Sequence, residues 1–138
     1  MIRYLLDTNV LSEITKSIPN PNVVQRMKDH RDEIVTAAPV WHELQFGCMR
    51  LPVSRRRSII EGFLLNLLKS DFQILPYDVA AADWHARQRA LLTNAGRPPA
   101  FIDGQIAAIA RVHNLILVTR NTSDFLVFPE LDIENWHL

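Results

Sequence analysis

Four carboxylates in this 138-residue chain stand where chemistry, beyond solubility, gives a reason for an acid. Asp7 follows Tyr4-Leu5-Leu6 and precedes Thr8-Asn9 and the apolar pattern Val10, Leu11, Ile14, so it falls where a strand hands over to a helix. Asp103 shares a helical face with Ile106, Ala107 and Ala110, which turns it inward. Glu43 has Val40, Phe46 and Gly47 at helical spacing, and Asp124 closes the polar run Thr119-Arg120-Asn121-Thr122-Ser123. Singly, each has an ordinary explanation: Asp7, Asp103 and Asp124 as helix caps or turn residues, Glu43 as a half-exposed helical acid. Jointly they are less ordinary, because two carboxylates about 4 Å apart repel by about 4 kcal/mol at an effective dielectric near 20, and a cation relieves that repulsion. Hard oxygen donors without partner cysteines favour Mg²⁺ or Mn²⁺, and the matching chemistry is hydrolysis of a phosphodiester by metal-activated water.

Such acids need strands and helices to hold them. Arg3 to Leu6, Ile34 to Ala38, Phe72 to Leu75 and Leu115 to Thr119 read as four apolar strands, and Leu131 to Trp136 as a weaker edge strand. Helical patterns lie between them. Pro39 suits the first turn of a helix carrying Val40, Leu44, Cys48 and Leu51. Asp78 caps a long helix with Ala80, Trp84, Leu91 and Ala95 on its buried stripe, ending at Gly96 before Pro98-Pro99. A further helix is expected from Asp103 to His113, with Asn114 in the left-handed position that closes it. Ile59, Ile60, Phe63, Leu64, Leu67 and Leu68 form another helical pattern, read as mostly core with room for an exposed groove. Strand and helix alternate throughout, which predicts an α/β sandwich on a mostly parallel sheet, with ligands at the carboxyl ends of the strands.

Length and composition bound the rest. A chain of this size, 48% hydrophobic and 22% charged, is expected to form a single domain over 1–138. No apolar run is long enough to span a membrane, and Asp7 interrupts the N-terminal apolar residues too early for a signal peptide, so a cytoplasmic protein is expected. The one cysteine, Cys48, rules out an intrachain disulfide and multi-thiolate metal sites within one chain, and reads as a core residue. Fifteen Lys and Arg balance fifteen Asp and Glu, so no global basic field attracts nucleic acid. The one dense basic cluster, Arg50, Arg55, Arg56 and Arg57, is a candidate surface for RNA or an acidic partner, or simply a solvated helix face.

Competing chemistries fail on specific positions. A phosphoacceptor receiver domain needs a late lysine, and none follows Lys69; a haloacid-dehalogenase-type phosphatase needs Asp-x-Asp where Asp7-Thr8-Asn9 stands. His42-Glu43 opens like a zinc-protease helix, but Phe46 occupies the second histidine's place. The four glycines form no phosphate-binding loop or nucleophile elbow. His30, His85, His113 and His137 lack ligand spacing, and Trp41, Trp84 and Trp136 read as packing aromatics.

Leu5-Leu6-Asp7-Thr8-Asn9, Glu43, Asp103 in Asp-Gly-Gln-Ile-Ala-Ala-Ile-Ala, the late Thr-Arg-Asn-Thr-Ser-Asp-Phe and the closing Glu134-Asn135-Trp136 resemble, in that order and over essentially the whole chain, a PIN-domain nuclease. The nearer resemblance is to the VapC class of toxin ribonucleases. It implies a PIN-like α/β/α sandwich, a Mg²⁺ or Mn²⁺ centre, RNA cleavage, a homodimer and neutralisation by a small VapB-type antitoxin. Asp7, Glu43 and Asp103 match the family's first three acidic positions. Many relatives carry the fourth acid where this chain has Asn121, which leaves the nearby charge to Asp124 and places Asn121 on substrate or metal-bound water. Asn9 and Thr119 are expected to hydrogen-bond the acids, a role that capping also explains. A catalytically idle PIN-like module that only binds RNA or protein is the alternative reading, and the three matched acids weigh against it.

Overall fold

In the computed structural model, which describes residues 1–138, five parallel strands form one sheet in the order β3-β2-β1-β4-β5. They are β1 (Tyr4–Leu6), β2 (Ile34–Ala37), β3 (Ile74–Leu75), β4 (Ile116–Val118) and β5 (Ile133–Glu134). Around them lie α1 (Thr8–Ile14), α2 (Pro21–Asp29), α3 (Ala38–Met49), α4 (Arg55–Lys69), α5 (Val79–Asn94), α6 (Phe101–Val112) and α7 (Thr122–Phe125). The central strand β1 aligns Tyr4 with Ile34 on one side and with Ile116 on the other. Its residues are buried on both faces, as covered parallel strands require. The chain leaves β1 toward β2 and returns on its other side as β4, so the strand order reverses beside β1. A crevice therefore opens at the carboxyl ends of β1 and β4.

Twenty-five buried hydrophobic residues form one continuous core. Helix α6 lies deepest, with Ile106 through Ala110 all buried, which holds its first turn in a fixed place beside the sheet. Cys48 packs in the core, and Trp136 is fully buried against Tyr4. No helix is long and apolar enough to cross a membrane.

Several boundaries differ from those read in the sequence. Strand β2 ends at Ala37, because Pro39 sits in the first turn of α3 and Ala38 already belongs to that helix. Strand β3 is two residues long, beginning at Ile74 although the apolar run starts at Phe72. Helix α6 begins at Phe101, one half-turn before Asp103, and Asn114 does take the left-handed conformation after it, at φ 54°. The stripe expected on α5 is one residue out of phase: Ala81, His85 and Leu92 are buried, while Ala80, Leu91 and Ala95 face solvent. A histidine inside the buried stripe, which hydrophobic periodicity scores as polar, caused that slip. The pattern on α4 is also less buried than expected. Leu64 alone is buried; Ile60, Phe63 and Leu67 pack against the core from its edge, and Ile59 and Leu68 are half exposed. Helix α2 had no counterpart in the pattern reading, since only Val23 is buried along it.

Candidate active site

Asp7 is the best-held acid in the crevice. It occupies the N-cap of α1 in an extended conformation, and its Oδ1 accepts the Thr8 backbone N–H at 2.8 Å. Its Oδ2 accepts the Thr119 hydroxyl at 2.7 Å and, at 3.5 Å, the Asn9 side-chain amide. Asp7 therefore caps α1, and its carboxyl group also lines the cleft at the strand ends. Thr119 is fully buried at the end of β4, and its hydroxyl oxygen in turn accepts the Asn121 N–H at 3.0 Å. Asn9 Oδ1 accepts the Arg120 N–H at 3.0 Å. Asn9 and Thr119 thus tie the β1 and β4 ends together around Asp7.

Asp103 approaches from the other side. It sits in the first turn of α6, two residues inside Phe101, and does not cap that helix; Ala100 holds the cap position with no side-chain hydrogen bond. Glu43 projects from the first half of α3, with His42 Nδ1 3.8 Å from its Oε1. Asp7, Glu43, Asp103 and Asn121 share one open cleft of about 420 Å³ with Thr8, Asn9, Ser12, Ile102 and Ile106.

Electrostatics tie these groups more closely than direct contact does. Asp103 is pushed up to about 6, first by burial and then by the charges of Asp7, Asp124 and Glu43. Burial also raises Asp7, against the opposing pull of its hydrogen bonds from Thr119, Thr8 and Asn9. Asp124 is exposed on α7 and does not line the cleft, yet its charge raises both Asp7 and Asp103. Asn121 lines the cleft without a charge. Asn121 thus contributes a neutral wall to the cleft, while Asp124 contributes negative charge from outside it.

The acids stand around the cleft without closing on one point: no three His, Cys, Asp or Glu side chains converge closely enough to hold an ion between them as they stand. Their chemistry nevertheless fits a hard divalent cation. The donors are all oxygen, and an ion among them would remove the repulsion that raises Asp103.

None of the four arginines lines this cleft, although Arg56 shares an adjoining pocket of about 180 Å³ with Thr8, Ser12 and Glu43 of its wall. Arg57 donates to Glu61 at 2.7 Å and to the Leu51 carbonyl at 3.1 Å, Arg56 donates to the Thr15 carbonyl and hydroxyl, and Arg50 lies over the Phe46 ring at 5.3 Å. Arg55 and Arg56 line a separate groove of about 740 Å³ with Ile14, Ile18, Ile59 and Phe63. Sequence reasoning missed Ser12, although it follows Thr8 by four residues and so shares its helical face. It also missed buried Glu13, which accepts from Lys16 at 3.0 Å and from the Asn20 N–H at 2.9 Å, with His137 Nε2 at 3.3 Å. No local signal announces a partner 124 residues away.

The PIN domain family model matches residues 4–131. The tRNA(fMet)-specific endonuclease VapC of Shigella flexneri is 33% identical over 137 residues, covering 99% of each chain. The VapC ribonuclease Y4jK of Sinorhizobium fredii is 34% identical over 126 residues, 88% of this chain and 89% of its own. The structure of DNA-bound VapBC from Salmonella typhimurium superposes with a TM-score of 0.84 at 28% identity, over 99% of both chains. With the resemblance running through the whole sheet and through the segments that carry Asp7, Glu43, Asp103 and Asn121, the chain belongs to the PIN-domain family, in its VapC branch.

Proposed function

We propose that this protein is the toxin of a toxin–antitoxin pair, a homodimeric endoribonuclease that depends on Mg²⁺ or Mn²⁺, takes tRNA among its substrates and is restrained by a small VapB-type antitoxin. The observation that carries the reading is the convergence of Asp7, Glu43 and Asp103 from three separate segments on one cleft, with the charge of Asp124 beside them. The VapC relatives support the RNA substrate and the antitoxin, since two are named for endonuclease or ribonuclease activity and a third is a VapBC complex.

Asp7 and Asp103 are the residues assigned to hold the ion, with Glu43 and Asp124 completing the negative wall. A bound Mg²⁺ or Mn²⁺ supplies a polarised phosphate oxygen and a water acidified toward neutral pH. Thr119 and Thr8 fix the two oxygens of Asp7, so that its orientation does not depend on the ion. Glu43, half exposed on the far wall, is placed to take a proton from water attacking the phosphodiester. The Asn121 amide offers a neutral donor to substrate phosphate oxygens where a further carboxylate would repel them, while the Asn9 amide stays on Asp7 and Thr119. The acidic cleft also offers a charge-assisted anchor for an arginine or lysine of the antitoxin.

The test uses the purified protein and bulk tRNA. Cleavage is expected with Mn²⁺ or Mg²⁺ and lost on chelation; cleavage that persists in chelator overturns the metal-dependent reading. In cells, expression of the chain alone is expected to arrest growth, and co-expression of the adjacent small gene to restore it.

A further inference from the structure

His85 is 1% exposed, more deeply buried than any acid of the cleft, and the chemistry proposed above does not use it. It stands on α5 and faces the first turns of α6. The Tyr77 hydroxyl lies 2.8 Å from its Nδ1, and the Phe101 ring lies 5.0 Å away between centroids. Its Nε2 has no hydrogen-bond partner. Against that nitrogen lies Gly104, where a Cβ would sit 2.6 Å from His85 Cδ2 and closer still to Nε2. Gly104 has no positive φ and lies inside a helix, a place where glycine weakens the structure and so needs a reason. The imidazole is that reason: ring and missing side chain share one space.

Gly104 is the residue after Asp103, and although the buried run Ile106 through Ala110 anchors α6, no side chain of its first turn is pinned by a hydrogen bond. Ala100 gives it no side-chain cap. Asp103 accepts no hydrogen bond and is repelled by Asp7, Asp124 and Glu43. The outer side of this turn is packed by α5, through His85 against Gly104 and Phe101 and through Arg89, one turn further along, over the Phe101 ring at 5.1 Å. Burial and the neighbouring Arg89 both oppose protonation of His85, so the ring serves as an uncharged spacer.

We propose that His85 is a positioning residue for Asp103: keyed by Tyr77 and seated on Gly104, it sets how closely the first turn of α6 approaches α5, and so where the Asp103 carboxylate meets the other acids. The proposal rests on the nuclease reading of the cleft. A side chain at Gly104 meets the buried His85 ring, and to the extent that the ring is held by Tyr77 and Phe101 it is α6, with Asp103, that shifts.

The experiment is calorimetric titration with Mn²⁺ alone, beside kcat and KM on tRNA. Gly104→Ala is expected to weaken Mn²⁺ binding by about 10-fold or more, the scale of outer-sphere disturbances at metal sites, and to lower kcat with little change in KM. His85→Ala in the same chain vacates the space the new methyl needs and is expected to recover part of the affinity, the remaining deficit marking the lost spacer. Gly62→Ala on α4, where a Cβ meets nothing, is expected to bind Mn²⁺ like wild type. Tyr77→Phe removes the hydroxyl key without changing the packing and is expected to cost a smaller part of the affinity; it decides the matter if Gly104→Ala does not fold. Wild-type affinity in Gly104→Ala, no recovery in the double variant, or wild-type affinity in Tyr77→Phe when Gly104→Ala is unfolded overturns the proposal. A wild-type protein that neither binds Mn²⁺ nor cuts RNA is a different result, and fails the nuclease reading itself.

Discussion

The two sides of the acidic cleft are held by different means. On the sheet side, Asp7 accepts from Thr8, Thr119 and Asn9, and Thr119 is itself held by the Asn121 N–H. On the helix side, Asp103 takes no hydrogen bond, and the packing of α6, most extensive against α5, decides where it stands. A carboxylate held by donors keeps its orientation before any ion arrives. A bare one has nothing to offset burial and its charged neighbours, so Asp103 rises to about 6, whereas the rise of Asp7, the more buried of the two, is opposed by three hydrogen bonds.

The largest expected effects come from removing either charge. Asp7→Asn and Asp103→Asn are both expected to lower cleavage by about 100-fold or more, because each deletes a carboxylate assigned to the metal while changing little volume. They differ in stability without metal. Asp103→Asn removes repulsion and breaks no hydrogen bond, so its Tm is expected to equal or exceed that of wild type. Asp7→Asn sets an amide against the Thr119 hydroxyl and is expected to lose about 1–2 kcal/mol. Thermal unfolding in chelator reads both, and the reverse order breaks the contrast between the two sides.

Acid pH sharpens the contrast next. Asp103 holds its proton up to about 6, and a ligand must lose its proton to bind metal, so Mn²⁺ affinity and cleavage are expected to fall as pH drops below that value. Stability without metal runs the other way. A carboxyl raised on folding binds more protons in the native state, so stability declines as pH rises from about 4 through about 6. Added Mn²⁺ is therefore expected to raise Tm more at pH 7 than at pH 5. An Asp103→Asn variant that keeps the full pH dependence of stability would place its origin elsewhere.

The readable part of this molecule was the sheet side. A carboxylate after an apolar strand is a local pattern, which is why Asp7 could be placed from spacing, whereas Asn9 and Thr119 entered through the family resemblance. The parallel sheet followed from the alternation of strand and helix. The helix side was only half readable. The inward face of α6 announced Asp103, but the support beneath it depends on a histidine that falls in the buried stripe of a different helix, where periodicity counts it as polar. The α5 stripe was misplaced for the same reason. Glu13 and His137 met through the fold alone, and the intramolecular partners of Arg56 and Arg57 could not be read from a run of like charges.

Smaller effects are expected from α7, where the sequence left the fourth position open between two residues. Asp124 is remote enough to stay exposed, yet both Asp7 and Asp103 feel its charge. Asp124→Asn is expected to weaken Mn²⁺ binding by about 3-fold, in keeping with a charge acting through partly screened space. Asn121→Ala leaves the charge intact and is expected to change Mn²⁺ binding less, while lowering cleavage through the lost amide at the cleft wall. Titrating both variants with Mn²⁺ and assaying both on RNA checks the division; a larger loss of metal affinity in Asn121→Ala would make the amide the metal-side group.

The smallest effect concerns the basic cluster, which the sequence presented as four equivalent arginines. Arg57 is engaged by Glu61 and the Leu51 carbonyl, Arg56 by Thr15, and Arg50 rests on Phe46, whereas Arg55 is exposed at the rim of the groove beside α1 with no ion-pair partner. A guanidinium already committed to a carboxylate has less charge to give a phosphate. If RNA runs from the acidic cleft past this groove, Arg55→Ala is expected to reduce the slope of log affinity against log salt by about 0.7, the release of one counterion from a single strand. Arg57→Ala is expected to leave the slope nearly unchanged and to show instead a loss of less than about 1 kcal/mol in stability, the usual worth of an i,i+4 pair on a helix surface. Binding of single-stranded RNA over a series of salt concentrations measures both. Equal slopes for wild type and Arg55→Ala would keep RNA on the acidic side of the molecule and leave the groove beside α4 to other contacts.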